Sequence, residues 1–163
     1  MEQTPNESQT DKPKLDLLTK IIGSGFFTGY APIASGTVGS AVALLFFLIP
    51  NFSSVYSIIP STVILFVIGG FAAQKMENIY GQDPSVVTVD EFVGMWLSLW
   101  FIPVTVLNIG LAFVIFRILD ILKPYPAGEF DKRSGGWNIM LDDVVAGLYT
   151  NVILQVAFRI TLF

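Results

Sequence analysis

Two pairs of adjacent carboxylates stand at the start of apolar stretches of this chain, Asp90 with Glu91 and Asp142 with Asp143. A single carboxylate is enough to cap a helix N-terminus, where it satisfies free backbone N–H groups and the helix dipole. Because neighbours on a helix diverge by about 100°, the second acid of each pair points elsewhere. Hard divalent cations such as Mg²⁺ bind several carboxylate oxygens and keep positions open for phosphate. We therefore favour a metal site over helix capping for both pairs.

Arg117, Asp120 and Lys123 form a second charged group, with spacings of three residues that place them along one helical face. A local ion pair together with anchoring at a membrane edge explains such a triplet when it stands alone. Opposite a second acidic cluster, charges at a membrane edge are more often functional. Arg offers phosphate a bidentate fork and Lys offers it a point charge, so the triplet is a candidate phosphate-binding group.

The segment GYAPIASGTVGS at residues 29–40 places Gly36 and Gly39 on either side of Thr37, just before an apolar stretch. In one interpretation Thr37 is the N-cap of the next helix. In the other, backbone N–H groups and the Thr37 hydroxyl bind an anion at the helix N-terminus. The segment is not a Walker loop, because the Gly-Lys-Ser/Thr ending is absent.

The chain contains no cysteine and no histidine. This excludes disulfides, zinc sites built on those residues, cysteine or histidine phosphoenzymes, and serine-histidine triads. If the chain hydrolyses a phosphate ester, its nucleophile is either a metal-activated water or an Asp carboxylate. The sequence leaves both alternatives open.

The placement of charge predicts how these groups are held. Mean hydropathy is +0.66, and only 13% of residues are charged. After Lys20, every charged residue except Arg159 falls within residues 75–91 or 117–143. A soluble protein carries charge on each of its helices. The long neutral tracts therefore predict an all-α fold, a compact bundle of short helices in a polytopic membrane protein.

We predict apolar helices at residues 37–49 and 58–73 and a last helix from about Leu141 to Phe163. Between them, Pro103 permits either one kinked span or a hairpin with arms at about 86–102 and 105–121. The hairpin puts both charged segments on one side of the membrane. The positive residues favour it, since all except Arg159 are then cytoplasmic and the outer loops are uncharged. The polar motifs then form one cytoplasmic active face.

The N-terminal part of the chain differs in composition from the rest. Residues 1–14 are polar and lack an apolar signal-peptide core, so we predict a disordered N-terminal tail. An amphipathic stretch follows, with Leu15, Leu18, Ile22 and Phe26 expected on one face at the membrane surface. Residues 15–163 are expected to form a single domain, which suits their length.

Four motifs, GYAPIASGTVGS, VTVDEFVGMW, FRILDILKPYP and NIMLDDVVAG, resemble the phosphatidylglycerophosphatase A family in order and approximate spacing, from residue 23 to about 155. The resemblance implies a multi-pass enzyme of the bacterial inner membrane. Such an enzyme uses Mg²⁺ to remove the terminal phosphate from the anionic lipid phosphatidylglycerophosphate. No nucleic acid and no protein partner is implied. One departure is Ser35, which stands where the family usually has Pro, and which we expect to loosen the loop.

The resemblance places the family's signature polar positions at Thr37, Asp90, Glu91, Arg117, Asp120, Lys123, Asp131, Asp142 and Asp143. From these we expect catalytic roles for Asp90, Glu91, Asp120 and Asp143. We expect substrate binding by Thr37, Arg117 and Lys123. The Mg²⁺ ligands are expected to be Asp90, Glu91, Asp142 and Asp143.

Two other interpretations of the sequence are possible in principle. The CDP-alcohol phosphotransferases are also small membrane enzymes that use Mg²⁺, but their Asp-Gly-x-x-Ala-Arg pattern is absent from this chain. A small cation channel or transporter fits the composition and would line its path with acids. That alternative does not explain why Arg and Lys share the acidic face.

Overall fold

The computed structural model describes residues 15–161, so the predicted tail at 1–14 lies outside the described residues. Within that range the chain is helical and forms no strand, which confirms the predicted all-α class. Short 3₁₀ turns at Thr28–Tyr30 and Phe46–Leu48 flank the second helix. The helices are α1 (Leu17–Gly23), α2 (Ser35–Leu45), α3 (Val55–Tyr80), α4 (Val89–Ser98), α5 (Val106–Leu122), α6 (Ala127–Asp131) and α7 (Gly136–Thr161).

The chain turns between α4 and α5 at Pro103, as the hairpin interpretation requires. The carbonyl of Pro103 accepts a hydrogen bond from Asn108 Nδ2 at 2.8 Å. The Thr105 side chain caps α5 by accepting a hydrogen bond from the Asn108 backbone N–H at 3.2 Å. Pro103 therefore ends one helix, and the polar residues after it begin the next.

Three predicted boundaries were wrong. Helix α3 continues to Tyr80 and α7 begins at Gly136, so each long helix extends into a charged segment. Helix α1 ends at Gly23, which leaves Phe26 beyond the helix at a φ of 56° rather than on its apolar face. Hydropathy marked the apolar part of each helix, whereas helix ends depend on capping contacts that hydropathy does not report.

Helix α4 is the centre of the bundle, and every residue in it except Asp90 is buried. It packs against α2, α3, α5 and α7. The indole N–H of Trp96 donates to the Ala43 carbonyl of α2 at 2.9 Å. A helix that is apolar on all sides is stable only when other helices surround it, and this one is surrounded.

Two glycines bring α4 and α7 into backbone contact. A Cβ atom placed on Gly94 would lie 2.8 Å from the Asp143 carbonyl, and one on Gly147 would lie 2.6 Å from the Gly94 carbonyl. Both distances are too short for real side chains, so glycine is required at this crossing. This close crossing fixes the position of Asp143 along the bundle axis relative to the acids at the start of α4.

Helix α3 and the Gly136–Arg159 part of α7 are long and apolar enough to cross a membrane, with mean hydropathies of 2.0 and 1.4. Large apolar side chains, among them Ile64 and Phe71, are exposed on α3. Exposed apolar surface of this kind is typical of lipid contact. The polytopic arrangement stays a prediction, because its support is the length and composition of these helices alone.

The start of α7 is held by side chains of α3. Both carboxylate oxygens of Glu77 accept from the Gly135 backbone N–H, at 2.8 and 3.0 Å. The side-chain oxygen of Gln74 accepts from the Gly136 N–H at 2.9 Å. These two side chains satisfy N–H groups at the start of α7 and place a negative charge at its positive end. They also account for the early start of this helix.

We expect Glu77→Ala to destabilise the protein by about 1 to 3 kcal/mol, because it leaves a partly buried N–H group without its acceptor. Glu77→Gln keeps one acceptor oxygen and should retain most of the stability. Thermal unfolding in detergent measures both variants. The control is Glu129→Ala, which removes an acid from an exposed pair with Lys132 and should change little. Equal effects of Glu77→Ala and Glu129→Ala would contradict the capping role.

Candidate active site

A cavity of about 300 Å³ opens at the charged end of the bundle. It is bordered by the start of α2, the segment before α4, the start of α4, the end of α5 and the first half of α7. The two charged segments of the sequence meet there, as the hairpin predicts. Its lining residues are Ser35, Gly36, Asp83, Pro84, Ser85, Val87, Asp90, Glu91, Arg117, Asp120, Ile121, Lys123, Asp142 and Asp143.

Arg117 joins α5 to α4 through Glu91. Its Nη1 atom donates to both carboxylate oxygens of Glu91 at 2.7 Å and lies 2.8 Å from Asp120 Oδ2. The Ser40 hydroxyl of α2 donates to Glu91 Oε2, also at 2.7 Å. Glu91 is only 7% exposed, so these bonds supply the pairing that a buried carboxylate needs.

Lys123 forms a second group of ion pairs at the cavity. It ends α5 in a left-handed conformation, and its ammonium contacts Asp131 of α6 and Asp142 of α7, the latter at 2.6 Å. Burial opposes the charged form of Lys123, but the Asp142 and Asp131 carboxylates outweigh it and raise the pKa of the ammonium above its ordinary value. Lys123 therefore stays protonated and ties three helices together.

Two carboxylates of the cavity are left with free oxygens. Asp90 Oδ1 and Asp143 Oδ2 are buried and have no hydrogen-bond partner within residues 15–161. Asp143 is only 2% exposed. A buried charged oxygen without a partner costs several kcal/mol, so such atoms call for an explanation. A bound cation would provide it.

The donor set fits a hard divalent cation. Carboxylate oxygens of Glu91, Asp120 and Asp143 lie within 4.8 Å of one another. Oxygen-only ligands of this kind suit Mg²⁺, which usually takes one or two carboxylates and keeps other positions for water and phosphate. Asp142 is already engaged, because Oδ2 contacts Lys123 and Oδ1 accepts from the Asp143 N–H at 2.9 Å.

The helix-capping alternative does not hold for the second acidic pair. Asp142 and Asp143 lie well inside α7, which begins at Gly136. Asp90 and Glu91 do lie in the first turn of α4, where a negative charge is favourable. The N-cap there is Thr88, however, and its side chain makes no capping bond. Both pairs line the cavity instead.

Thr37 is not the N-cap that one interpretation expected. Helix α2 begins at Ser35, its N-cap is Ala34, and Thr37 does not line the cavity. Gly36 does, and a Cβ atom there would collide with Glu91 Oε1. The Ser35 hydroxyl donates to the Ser85 carbonyl at 2.7 Å, so a hydrogen bond ties the loop where a Pro was expected. Substrate binding by Thr37 stays a prediction.

The remaining predicted site residues lie at or beside the cavity, but two residues that contribute to it were not predicted. Asp120 lines the cavity, and Asp131 borders it through Lys123. Sequence reasoning assigned no role to Ser40 or Asp83. Ser40 stands four residues after Gly36 and donates to its carbonyl, so the helical repeat was a usable signal. Asp83 opens the motif that leads into α4, but nothing in its spacing marked it as lining the cavity.

The fold and the site define a class of protein. It is a helical bundle with an apolar body and one end at which six acidic and two basic side chains line a cavity, the groups that phosphate-ester hydrolysis uses. The chain belongs to the phosphatidylglycerophosphatase A family, whose sequence pattern matches residues 21–158. It is therefore an enzyme of the phosphatase class.

Named relatives are similar over most of their length. A Bacteroides thetaiotaomicron protein with the provisional name phosphatidylinositol-3-phosphatase is 39% identical over 149 residues, 86% of this chain and 93% of the relative. Phosphatidylglycerophosphatase A of Escherichia coli is 36% identical over 139 residues, 82% of this chain and 80% of that protein. Phosphatidylglycerophosphatase A of Haemophilus influenzae is 35% identical over 147 residues, 86% and 90% of the two chains. No solved structure matches this chain.

We expect Asp143→Asn to raise the thermal midpoint of the metal-free protein by several degrees, because it removes one acid from a buried cluster of acids that repel one another. The same variant should lose most of the stabilisation that Mg²⁺ gives the unaltered protein, since a ligand stabilises only the state that binds it. Thermal unfolding in chelator and in excess Mg²⁺ measures both effects, with Glu129→Gln as the exposed control. A lower metal-free midpoint, or full Mg²⁺ stabilisation of the variant, would contradict the cation-site interpretation.

Proposed function

We propose that this protein is a Mg²⁺-dependent lipid phosphatase that hydrolyses phosphatidylglycerophosphate to phosphatidylglycerol and phosphate. The observation that carries the proposal is the cavity itself. Cationic side chains and carboxylates with free oxygens face the same space at the polar end of an apolar bundle. The family membership and the names of two relatives support the choice of lipid phosphate.

Asp90 and Asp143 are the residues that would hold Mg²⁺ with their free oxygens, with Asp120 and Glu91 within reach. When bound, Mg²⁺ supplies positive charge to the oxygens of the phosphate and so stabilises charge that builds up during hydrolysis. Direct binding of Mg²⁺ by Asp142 stays a prediction, because both of its oxygens already have partners. Its contacts with Lys123 and the Asp143 N–H keep its neighbour oriented toward the cavity.

Arg117 and Lys123, which line the same cavity as these acids, bind the phosphate. Both already pair with acids, and Glu91 orients the Arg117 guanidinium by accepting two hydrogen bonds from one of its nitrogens. Glu91 already accepts bonds from Arg117 and Ser40, so of the four acids expected to be catalytic, Asp90, Asp120 and Asp143 are left for proton transfer or nucleophilic attack. The choice between an Asp nucleophile and an activated water stays open.

The start of α2 contributes a further anion-binding group. Its N-cap, Ala34, makes no side-chain capping bond, and Ser35 and Gly36 line the cavity. Free N–H groups at the start of a helix of this length attract phosphate through hydrogen bonds and the helix dipole. The glycine at position 36 allows this backbone to approach Glu91 and Arg117 closely.

We place the protein in the bacterial inner membrane as a multi-pass enzyme with the cavity at the cytoplasmic face. The support is the concentration of charge at one end of a bundle with two helices long enough to span. The positive-inside rule orients that end toward the cytoplasm. A newly made anionic lipid would present its headgroup there.

A second candidate substrate is phosphatidylinositol 3-phosphate, because the relative that is 39% identical carries a provisional name for that activity. Both lipids carry a phosphomonoester on a polyol headgroup that is joined to diacylglycerol by a phosphodiester, so one cavity can suit either. The decisive experiment measures phosphate release by the purified protein from phosphatidylglycerophosphate, phosphatidylinositol 3-phosphate and phosphatidate, with Mg²⁺ and with chelator. The proposal requires the highest kcat/KM for the first lipid and loss of activity in chelator. Preference for the inositol lipid would establish the second candidate.

Arg117→Lys is expected to lower kcat/KM by about 10- to 100-fold. It keeps the charge but loses the planar fork, and each lost charge-assisted hydrogen bond is worth about 1.5 to 3 kcal/mol. Steady-state phosphate release measures the effect. Arg133→Lys is the matched control, since Arg133 is exposed and does not line the cavity. Normal turnover of Arg117→Lys would remove Arg117 from the site and leave it only an anchoring role.

The topology predicts that cysteines introduced at Ser85 and Ser134 react with an impermeant thiol reagent from the same side of the membrane. The native chain has no cysteine, so each single replacement gives an unambiguous signal. Both positions are exposed at the charged end of the bundle. Labelling from opposite sides would refute the shared cytoplasmic face.

A further inference from the structure

Helix α5 has an apolar outer face that no other described part of the chain covers. Its exposed residues follow one another at steps of three or four, which places them in a single line along the helix. The opposite face, which includes Ala112 and Phe116, packs into the core. We call the outer line the α5 stripe, and its members are Leu107, Leu111, Val114, Ile118 and Ile121.

Ile121 belongs both to the α5 stripe and to the cavity. It lines the cavity beside Asp120 and Lys123, yet its side chain is 70% exposed. The other apolar lining side chains, Pro84 and Val87, are half-buried and buried. Ile121 is therefore the point at which the polar cavity continues into an exposed apolar surface.

A lipid phosphate has the same two-part character. Its phosphate and headgroup need the charged groups of the cavity, while its acyl chains must leave the cavity without crossing that charged lining. An apolar path that begins at the mouth meets this requirement. Of the exposed apolar surfaces formed by the described residues, the α5 stripe is the one that shares a residue with the cavity.

We propose that Ile121 and the α5 stripe form the acyl-chain subsite, so that the lipid substrate enters sideways with its chains along α5. This inference rests on the proposed lipid phosphatase function and deepens it. The occupant is the diacylglycerol part of the substrate. Bulk lipid would contact Ile121 and its equally exposed neighbour Leu122 alike.

Leu122 provides the matched control. It is also 70% exposed and adjacent in sequence, but it does not line the cavity. Phosphate release is compared for long-chain phosphatidylglycerophosphate in mixed micelles and for its deacylated headgroup. Ile121→Ser should lower the ratio of the two kcat/KM values by about 5- to 30-fold, the loss expected when a large aliphatic contact is removed. Leu122→Ser should change that ratio less than about twofold. Equal changes in both variants, or an unchanged ratio in Ile121→Ser, would overturn the subsite.

A second measurement needs no turnover and so separates this inference from the proposed activity. Ile121→Cys and Leu122→Cys each introduce a single thiol into a chain that has none. In chelator, micellar phosphatidylglycerophosphate should slow maleimide labelling at position 121 about fivefold or more relative to lipid-free detergent, and much less at position 122. Equal protection at both positions would refute the subsite even if the enzyme were active. Selective protection at position 121 without phosphate release from this lipid would instead reject the proposed substrate and keep the lipid subsite.

Discussion

Glu91 connects three helices through one carboxylate. Arg117 of α5 donates to both of its oxygens and Ser40 of α2 donates to one, while Glu91 itself belongs to the central helix α4. Pairing lowers the cost of burying a carboxylate, so these bonds favour the arrangement in which the three helices meet at Glu91. The same ion pair requires glycine at position 36, because any side chain there would occupy the place of Glu91 Oε1. The mouth of the cavity is built around this interaction.

The four acids of the two adjacent pairs in the cavity are of two kinds. Glu91 and Asp142 are saturated by Arg117, Ser40, Lys123 and a backbone N–H, whereas Asp90 and Asp143 each keep an oxygen free. The first kind stabilises the bundle and orients the side chains of Arg117 and Lys123. The second kind is costly to the folded state, and a bound cation would offset that cost. A site of this construction gives up stability for binding, which is a common compromise in enzymes.

Much of this arrangement was predictable from the sequence, because charge placement is a strong signal in an apolar chain. The all-α class, the turn at Pro103 and the meeting of the two charged segments followed from where charges were absent. The start of α7 was missed because it depends on Glu77 and Gln74, which lie about 60 residues earlier in the chain. Asp142 was expected to be a metal ligand, and only the fold reveals that Lys123 already engages it. The role of Ser40 was likewise hidden, since its partner is on another helix. Spacing in the sequence shows which residues share one face of a helix, but it does not show which other helix that face packs against.

The glycine crossing of α4 and α7 has a mechanical consequence. With backbone against backbone at Gly94 and Gly147, neither helix can slide along the other without a collision. Bilayers differ in thickness with their lipid composition, and membrane-spanning helices respond to a mismatch by tilting. In a bundle that spans a bilayer, this crossing would make α4 and α7 tilt together rather than shift past each other. The distances between the acids of α4 and those of α7 would then stay constant while the lipid composition around the enzyme changes.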